Sequence, residues 1–254
     1  MKTISKAIIF SILAIILASC NAIAAKPASL PTQKTIVLTK IINHERPNIQ
    51  SDFLPFTNVG CKSSAYDFRY DCEEGSQLLV LGCNSIIDIP LLGGLSPNYP
   101  IAACDLEINE WSYTADIPTD GCVYIDGVQI TSCYRYVIYK DDKYQLIKTL
   151  DEFRTMYASI DSSEEALSFT LASDDFIAKY GQTKNNDYIY SVQVLEDTYV
   201  ETTADGYIAH VFETNTNCEP FETRAVTIKV THDGHLTRLN SFIVYSDKSQ
   251  SGCA

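Results

Sequence analysis

Thr149-Leu150-Asp151-Glu152-Phe153-Arg154-Thr155-Met156-Tyr157 is the stretch on which the fold turns. Thr149 supplies the hydroxyl of an N-cap, and Glu152, three residues on, completes the form of a capping box. Leu150, Phe153, Met156 and Tyr157 then fall on one stripe at helical spacing. Ser162-Ser163-Glu164-Glu165 repeats the capping signal, and Ala166, Leu167, Thr170 and Leu171 carry a second helix. Its paired acids, Glu164 and Glu165, complement the positive end of the helix. Phe176, Ile177 and Tyr180 read as a third turn stopped by Gly181.

On both sides the period falls to two. Ahead, residues 134–140 and 144–147 read as strands joined at Asp141-Asp142. Behind, residues 188–195, 199–203, 207–213, 222–231 and 235–245 read as five more, with turns at Ala204-Asp205-Gly206 and Asp233-Gly234. Val226, Ile228 and Val230 form an inward face. Strands, two helices and strands again predict an α+β fold, an antiparallel sheet with a pair of helices packed on one face. A disulfide-rich β region precedes it.

Within that region, residues 35–42 (TIVLTKII) read as a first strand and His44-Glu45-Arg46-Pro47 as a polar turn. Residues 77–81 (QLLVL) read as a short buried strand, and residues 106–113 as a half-buried one. Pro90, Gly93-Gly94, Pro97 and Pro100 mark residues 86–100 as a long loop. Residues 122–133 read as a hairpin about Asp126-Gly127, where a four-residue loop over 125–128 would set Cys122 opposite Cys133, within bridging reach.

Nine cysteines occur, Cys20, Cys61, Cys72, Cys83, Cys104, Cys122, Cys133, Cys218 and Cys253. With Cys20 set aside an even number remains, and no C-x-x-C pair of zinc-site form is present, so four disulfides and no metal are expected. The simplest partition pairs Cys218 with Cys253 and the other six among themselves, in any of their connectivities.

Export follows from the start of the chain. Lys2 and Lys6 precede an apolar run over 7–18, which has the length of a signal-peptide core and is too short to span a bilayer. Leu17-Ala18-Ser19-Cys20 has the form of a bacterial lipobox, which would place diacylglycerol on Cys20. Ala22-Ile23-Ala24 offers ordinary cleavage instead. The expected organisation is a signal peptide (1–19), a Pro-containing anchor tether (20–34), the disulfide-rich β region (35–145) and an α+β module (146–254). Asn21 rather than Asp after the anchor favours the outer membrane by resemblance to Gram-negative lipoproteins. The other lodging is soluble, periplasmic or secreted.

The formal charge is −13, and two units more negative once Lys2 and Lys6 are removed, which disfavours nucleic acid and anionic lipid surfaces as partners. With 46% hydrophobic and 20% charged residues the composition is otherwise that of a globular protein.

Thr149 to Tyr157, the Ser163-Glu164-Glu165-Ala166-Leu167-Ser168 helix and the hairpin Glu201-Thr202-Thr203-Ala204-Asp205-Gly206-Tyr207 carry a resemblance. Over residues 146–247 the chain resembles a family of uncharacterised exported bacterial proteins. The likeness implies a fold and no activity.

Candidate chemistry is sparse. His232 and His235 flank Asp233-Gly234, a combination able to bind metal but better explained as a solvent-facing hairpin tip. His44-Glu45-Arg46 reads as a solvated turn, and His210 as a core histidine on the face of Ile208 and Phe212. Asp141/Asp142, Glu164/Glu165 and Asp174/Asp175 are carboxylate pairs that point apart along a strand or helix. Gly93-Gly94 lacks phosphate-loop context, and there is no G-x-S-x-G or H-E-x-x-H. No catalytic residue and no cofactor is assigned. The function expected is a lipid-anchored envelope binding or interaction module, held to the membrane through Cys20, with another envelope protein as the candidate partner. A structural or assembly lipoprotein and a periplasmic hydrolase are the alternatives.

Overall fold

A computed structural model of the chain describes residues 36–64, 68–108, 120–126, 131–215 and 221–249. Cys20, the leader and the whole tether lie outside them, as do Cys218 and Cys253. Among the described residues the fold is mostly antiparallel sheet with few helices, and three cysteine pairs stand at bonding distance.

The first strand is short. β1 (Lys40–Ile42) lies parallel to β10 (Val194–Glu196), a pairing between segments more than 150 residues apart in sequence. A larger sheet then forms from β2 (Cys61–Ser63), β3 (Arg69–Cys72), β4 (Ser85–Ile87), β5 (Ile101–Ile108), β6 (Tyr124–Asp126), β7 (Thr131–Lys140) and β8 (Lys143–Ile147). Its spatial order is β2-β3-β4-β5-β7-β6, with β8 also on β7. Asp141 and Asp142 join β7 to β8 in the left-handed region, with φ of 51° and 56°, which Asp tolerates better than most residues and a two-residue hairpin of this hand requires.

Each disulfide closes a local unit of this sheet. Cys61–Cys72 links directly opposed residues of β2 and β3. Cys83–Cys104 ties the approach to β4 onto β5, and Cys122–Cys133 ties the approach to β6 onto β7. The hairpin register differs from the expected one, since Ile125 rather than Cys122 opposes Cys133. The bridge forms across that offset with its Cα atoms 5.5 Å apart, because Cys122 lies before β6 and follows Gly121, whose φ of +95° turns the chain.

Two readings in this region are overturned. Gln77–Val80 is a helix, α1, and not a strand: the Ser76 hydroxyl accepts from the Leu78 amide and caps it. Residues 86–100 are not one loop, because Ser85–Ile87 is β4 and Leu92–Gly94 is a 3₁₀ turn packed on the second long helix.

The capped helices stand where the sequence puts them. α2 (Leu150–Tyr157) begins at Thr149, whose hydroxyl accepts from the Glu152 amide. Glu152 reaches back to the Lys148 amide, one residue beyond its cap. α3 (Ser163–Ser173) has a complete capping box between Ser162 and Glu165. It ends at Ser173, and the expected third turn is extended chain: Ile177 exchanges both backbone hydrogen bonds with Phe212.

The remaining strands are β9 (Tyr188–Tyr190), β11 (Tyr199–Thr203), β12 (Gly206–Asn215), β13 (Phe221–Thr231) and β14 (Leu236–Asp247). They form an antiparallel sheet in the order β11-β12-β13-β14-β9. The single strand expected over 188–195 is thus split, β9 joining this sheet and β10 pairing with β1. Gly206 closes the β11–β12 turn, with φ +135° and a Cβ position only 2.2 Å from the Val230 carbonyl oxygen, so no side chain fits there.

Alternation sorts side chains among cores. Tyr207, Ala209 and Val211 of β12 and Val226, Ile228 and Val230 of β13 share one cluster with Phe153, Phe169, Tyr136 and Ile138. Phe56, Leu78, Ile86, Ala102 and Val137 build a second around buried Cys83 and Cys104. Leu38, Tyr190, Leu195, Phe212, Val244 and Tyr245 make a third.

Candidate functional site

The site begins where α3 stops. Asp174 follows the helix in extended conformation, and residues 176–182 run out as a strap fixed at three points. Ile177 bonds to Phe212, the Lys179 carbonyl accepts from Thr198 and the Lys179 amide donates to the Thr198 hydroxyl. Gly181, at φ +63°, then turns the chain so that its amide and that of Gln182 donate to the Asp197 carboxylate, at 2.8 and 3.2 Å. Asp197 is buried and also accepts from the Asn43 side chain and the His44 amide. Although burial alone would raise its pKa, these donors together hold the carboxyl below the ordinary value.

Beneath this strap lies a cavity of about 620 Å³. That size suits a small organic ligand. Leu91, Leu171, Phe176 and Leu195 give it an apolar interior, and Tyr188 and Tyr245 form one wall with rings stacked 4.2 Å apart and 6° from parallel. Two cations, Arg46 and Lys179, line it, and no carboxylate does among the described residues. The Lys179 ammonium lies over the Tyr245 ring, 5.9 Å from its centroid. Burial pulls Lys179 below the usual lysine pKa. Burial pushes the Tyr180 hydroxyl up to about 12, so it remains a protonated donor.

A second cluster lies on the edge strand β11. The ring of Tyr199 is sandwiched between His44, at 4.5 Å, and His210, at 4.1 Å. His44 Nε2 stands 2.9 Å from Glu196 Oε1. His210 Nε2 lies 3.3 Å from Glu201 Oε1 without the alignment of a hydrogen bond, so it is desolvated and poorly satisfied. Burial, with a lesser contribution from Glu196 and Glu201, lifts the Tyr199 hydroxyl to about 12. Hollows of about 230 and 170 Å³ flank the stack.

The other candidates from the sequence disperse. His232 Nδ1 bonds the Ile160 carbonyl, whereas His235 faces Arg154, so the two rings serve different neighbours. Among the described residues no group of three His, Cys, Asp or Glu is placed to hold a metal ion. Gly93 and Gly94 serve close packing: a Cβ on Gly93 would lie 1.9 Å from the Gln50 carbonyl oxygen, and one on Gly94 2.4 Å from Ser168 Oγ. Glu165 is taken up by its cap, Asp174 by Arg238 and Asp142 by the Tyr139 hydroxyl. No helix among the described residues is long and apolar enough to cross a membrane.

Sequence reasoning missed the cavity, and it singled out His44 and His210 without bringing them together on Tyr199. Arg46 was visible as part of a polar turn and Lys179 not at all, because the cavity gathers residues from six separate segments. The chain matches no protein-family model, no curated protein and no solved structure.

Proposed function

We propose that the chain is an exported bacterial envelope protein, anchored through lipid on Cys20, whose body is a binding module for a small molecule. The observation that carries the binding reading is the 620 Å³ cavity under the 176–182 strap, apolar within and fixed at its rim by Asp197 and Thr198. The disulfides support the export reading, since bridges persist in oxidising compartments. The same reading takes residues 146–247 as the module of the exported family they resemble, with α2 and α3 as a helix pair covering one face of the five-stranded sheet. Phe153 and Phe169 support this by sharing a core with Ala209, Val226 and Ile228.

Two measurements test it. The mass of the protein from the envelope fraction is expected to begin at Cys20 with acyl chains added, whereas a mass beginning at Ala25 would remove the anchor. The neutral fluorophore N-phenyl-1-naphthylamine is expected to brighten saturably in the folded wild type and far less in Ala178→Trp, which fills the cavity from its half-buried rim. No brightening in the folded wild type would overturn the binding reading.

A further inference from the structure

The cavity's charge is the reverse of the molecule's. The chain carries −13, yet the ionised side chains that line this cavity are Arg46 and Lys179. Elsewhere the described arginines are matched. Arg69, Arg135, Arg154, Arg224 and Arg238 each face a carboxylate at ion-pair distance. Arg46 has no such partner among the described residues, and neither has the half-buried ammonium of Lys179.

A half-buried, unmatched ammonium is unfavourable in the empty protein, and the fold does not relieve it from within. Asp197, the carboxylate behind the strap, is no substitute, because it is already engaged by the Gly181 and Gln182 amides and by Asn43. The counter-charge must come from outside. It must also bring an apolar body, because the cavity that Lys179 lines is walled by Leu171, Phe176, Leu195 and the stacked rings of Tyr188 and Tyr245.

From this we infer that the cavity receives an amphipathic organic anion, its oxyanion head held by Lys179 and Arg46 and its apolar body laid along Phe176, Leu195 and the Tyr188–Tyr245 wall. This rests on the binding reading above and names its ligand class. Tyr180 also lines the cavity, and its hydroxyl, protonated throughout the neutral range, can donate a further hydrogen bond to the head. Charge-assisted bonds of this kind are about twice as strong as neutral ones, so the head contributes selectivity and the body contributes burial.

The test is a calorimetric titration of the mature protein with decanoate, 1-decanol and decyltrimethylammonium, each below its aggregation limit. Decanoate is expected to bind one to one, with decanol at least about tenfold weaker and the quaternary ammonium weaker still. Lys179→Met is expected to weaken decanoate about tenfold while melting as a folded protein, and Lys179→Arg to stay within about threefold of wild type. Decanol binding as tightly as decanoate, or Lys179→Met leaving decanoate unchanged, would overturn the anion assignment and leave the cavity as a neutral binding site. Failure of both decanoate and N-phenyl-1-naphthylamine in the folded wild type would overturn the binding reading and this inference together.

Discussion

The ammonium of Lys179 lies over the ring of Tyr245, 5.9 Å from its centroid, and has no carboxylate beside it among the described residues. A cation–π contact offsets only part of what desolvation removes. Lys179 is therefore expected to lower stability in the service of binding. Replacing it with Met keeps the length of the stem, removes the charge and should raise the thermal midpoint by a few degrees. The check is a melt of Lys179→Met beside wild type, and a lowered midpoint would show the ammonium to be stabilising.

His210 gives the fold a dependence on mildly acidic pH. Its pKa is pulled down chiefly by burial, against the opposing pull of Glu201 and Glu196 and with a small push from His44. The unfolded chain takes up a proton near the ordinary histidine value of about 6.5, while the folded chain resists until lower pH. Stability contributed by neutral His210 is thus present above about 6.5 and lost as pH falls toward the folded value. Denaturant melts of wild type and His210→Phe between pH 7.5 and 5 are expected to show a smaller acid loss in the variant, which keeps a ring against Tyr199. Parallel losses would remove His210 from the effect.

The three bridges should differ in accessibility. Cys83 and Cys104 are fully buried in the core with Phe56, Leu78 and Ile86, whereas Cys72 and Cys122 are only half-buried. Under native conditions with graded reductant and alkylation, Cys83 and Cys104 are expected to be labelled last. Removing that bridge as Cys83→Ala with Cys104→Ala should cost about 3 kcal/mol, within the usual range for a bridge of this span. Peptide mapping should recover the pairs 61–72, 83–104 and 122–133, and any other pairing of these six would contradict the fold.

Gly94 holds the 3₁₀ turn against α3. A Cβ there would lie 2.4 Å from Ser168 Oγ and 2.7 Å from the Glu164 carbonyl oxygen, and Ser168 already donates to the Leu91 carbonyl. Gly94→Ala is expected to destabilise by about 2 kcal/mol by forcing this contact apart. Because Leu91 lines the cavity, decanoate affinity should fall with it. Titration and melting of one preparation would show whether the two losses occur together.

What the sequence discloses is what short range decides. Thr149 and Ser162 announce their helices through hydroxyls that cap amides three residues away, and the Asp141-Asp142 and Ala204-Asp205 turns fix two hairpins by their own backbone chemistry. Residues 77–80 mislead because a run as short as Leu78-Leu79-Val80 carries no period, although Ser76 stood before them as a cap. Residues 176–180 mislead for the opposite reason. Their helical spacing is real, but Phe212 and Thr198 draw the backbone into extended pairing, and tertiary bonds override a local preference. The cavity leaves no local mark. Arg46, Leu91, Leu171, Lys179, Leu195 and Tyr245 come from along most of the chain, and the parallel pairing of β1 with β10, the 3₁₀ turn packed on α3, the β14–β9 pairing and the strap across Asp197 bring them to one place.

The most direct measurement is a titration of isotope-labelled mature protein with decanoate, followed through backbone amide and side-chain shifts. The expected result is saturable movement confined to Arg46, residues 89–91, Leu171, residues 176–185, Tyr188, Leu195 and Tyr245, with the Lys179 side chain among the largest, and loss of that pattern in Lys179→Met. Shifts centred on the His44–Tyr199–His210 stack, or no saturable shifts at all, would contradict the placement of an anion site under the strap.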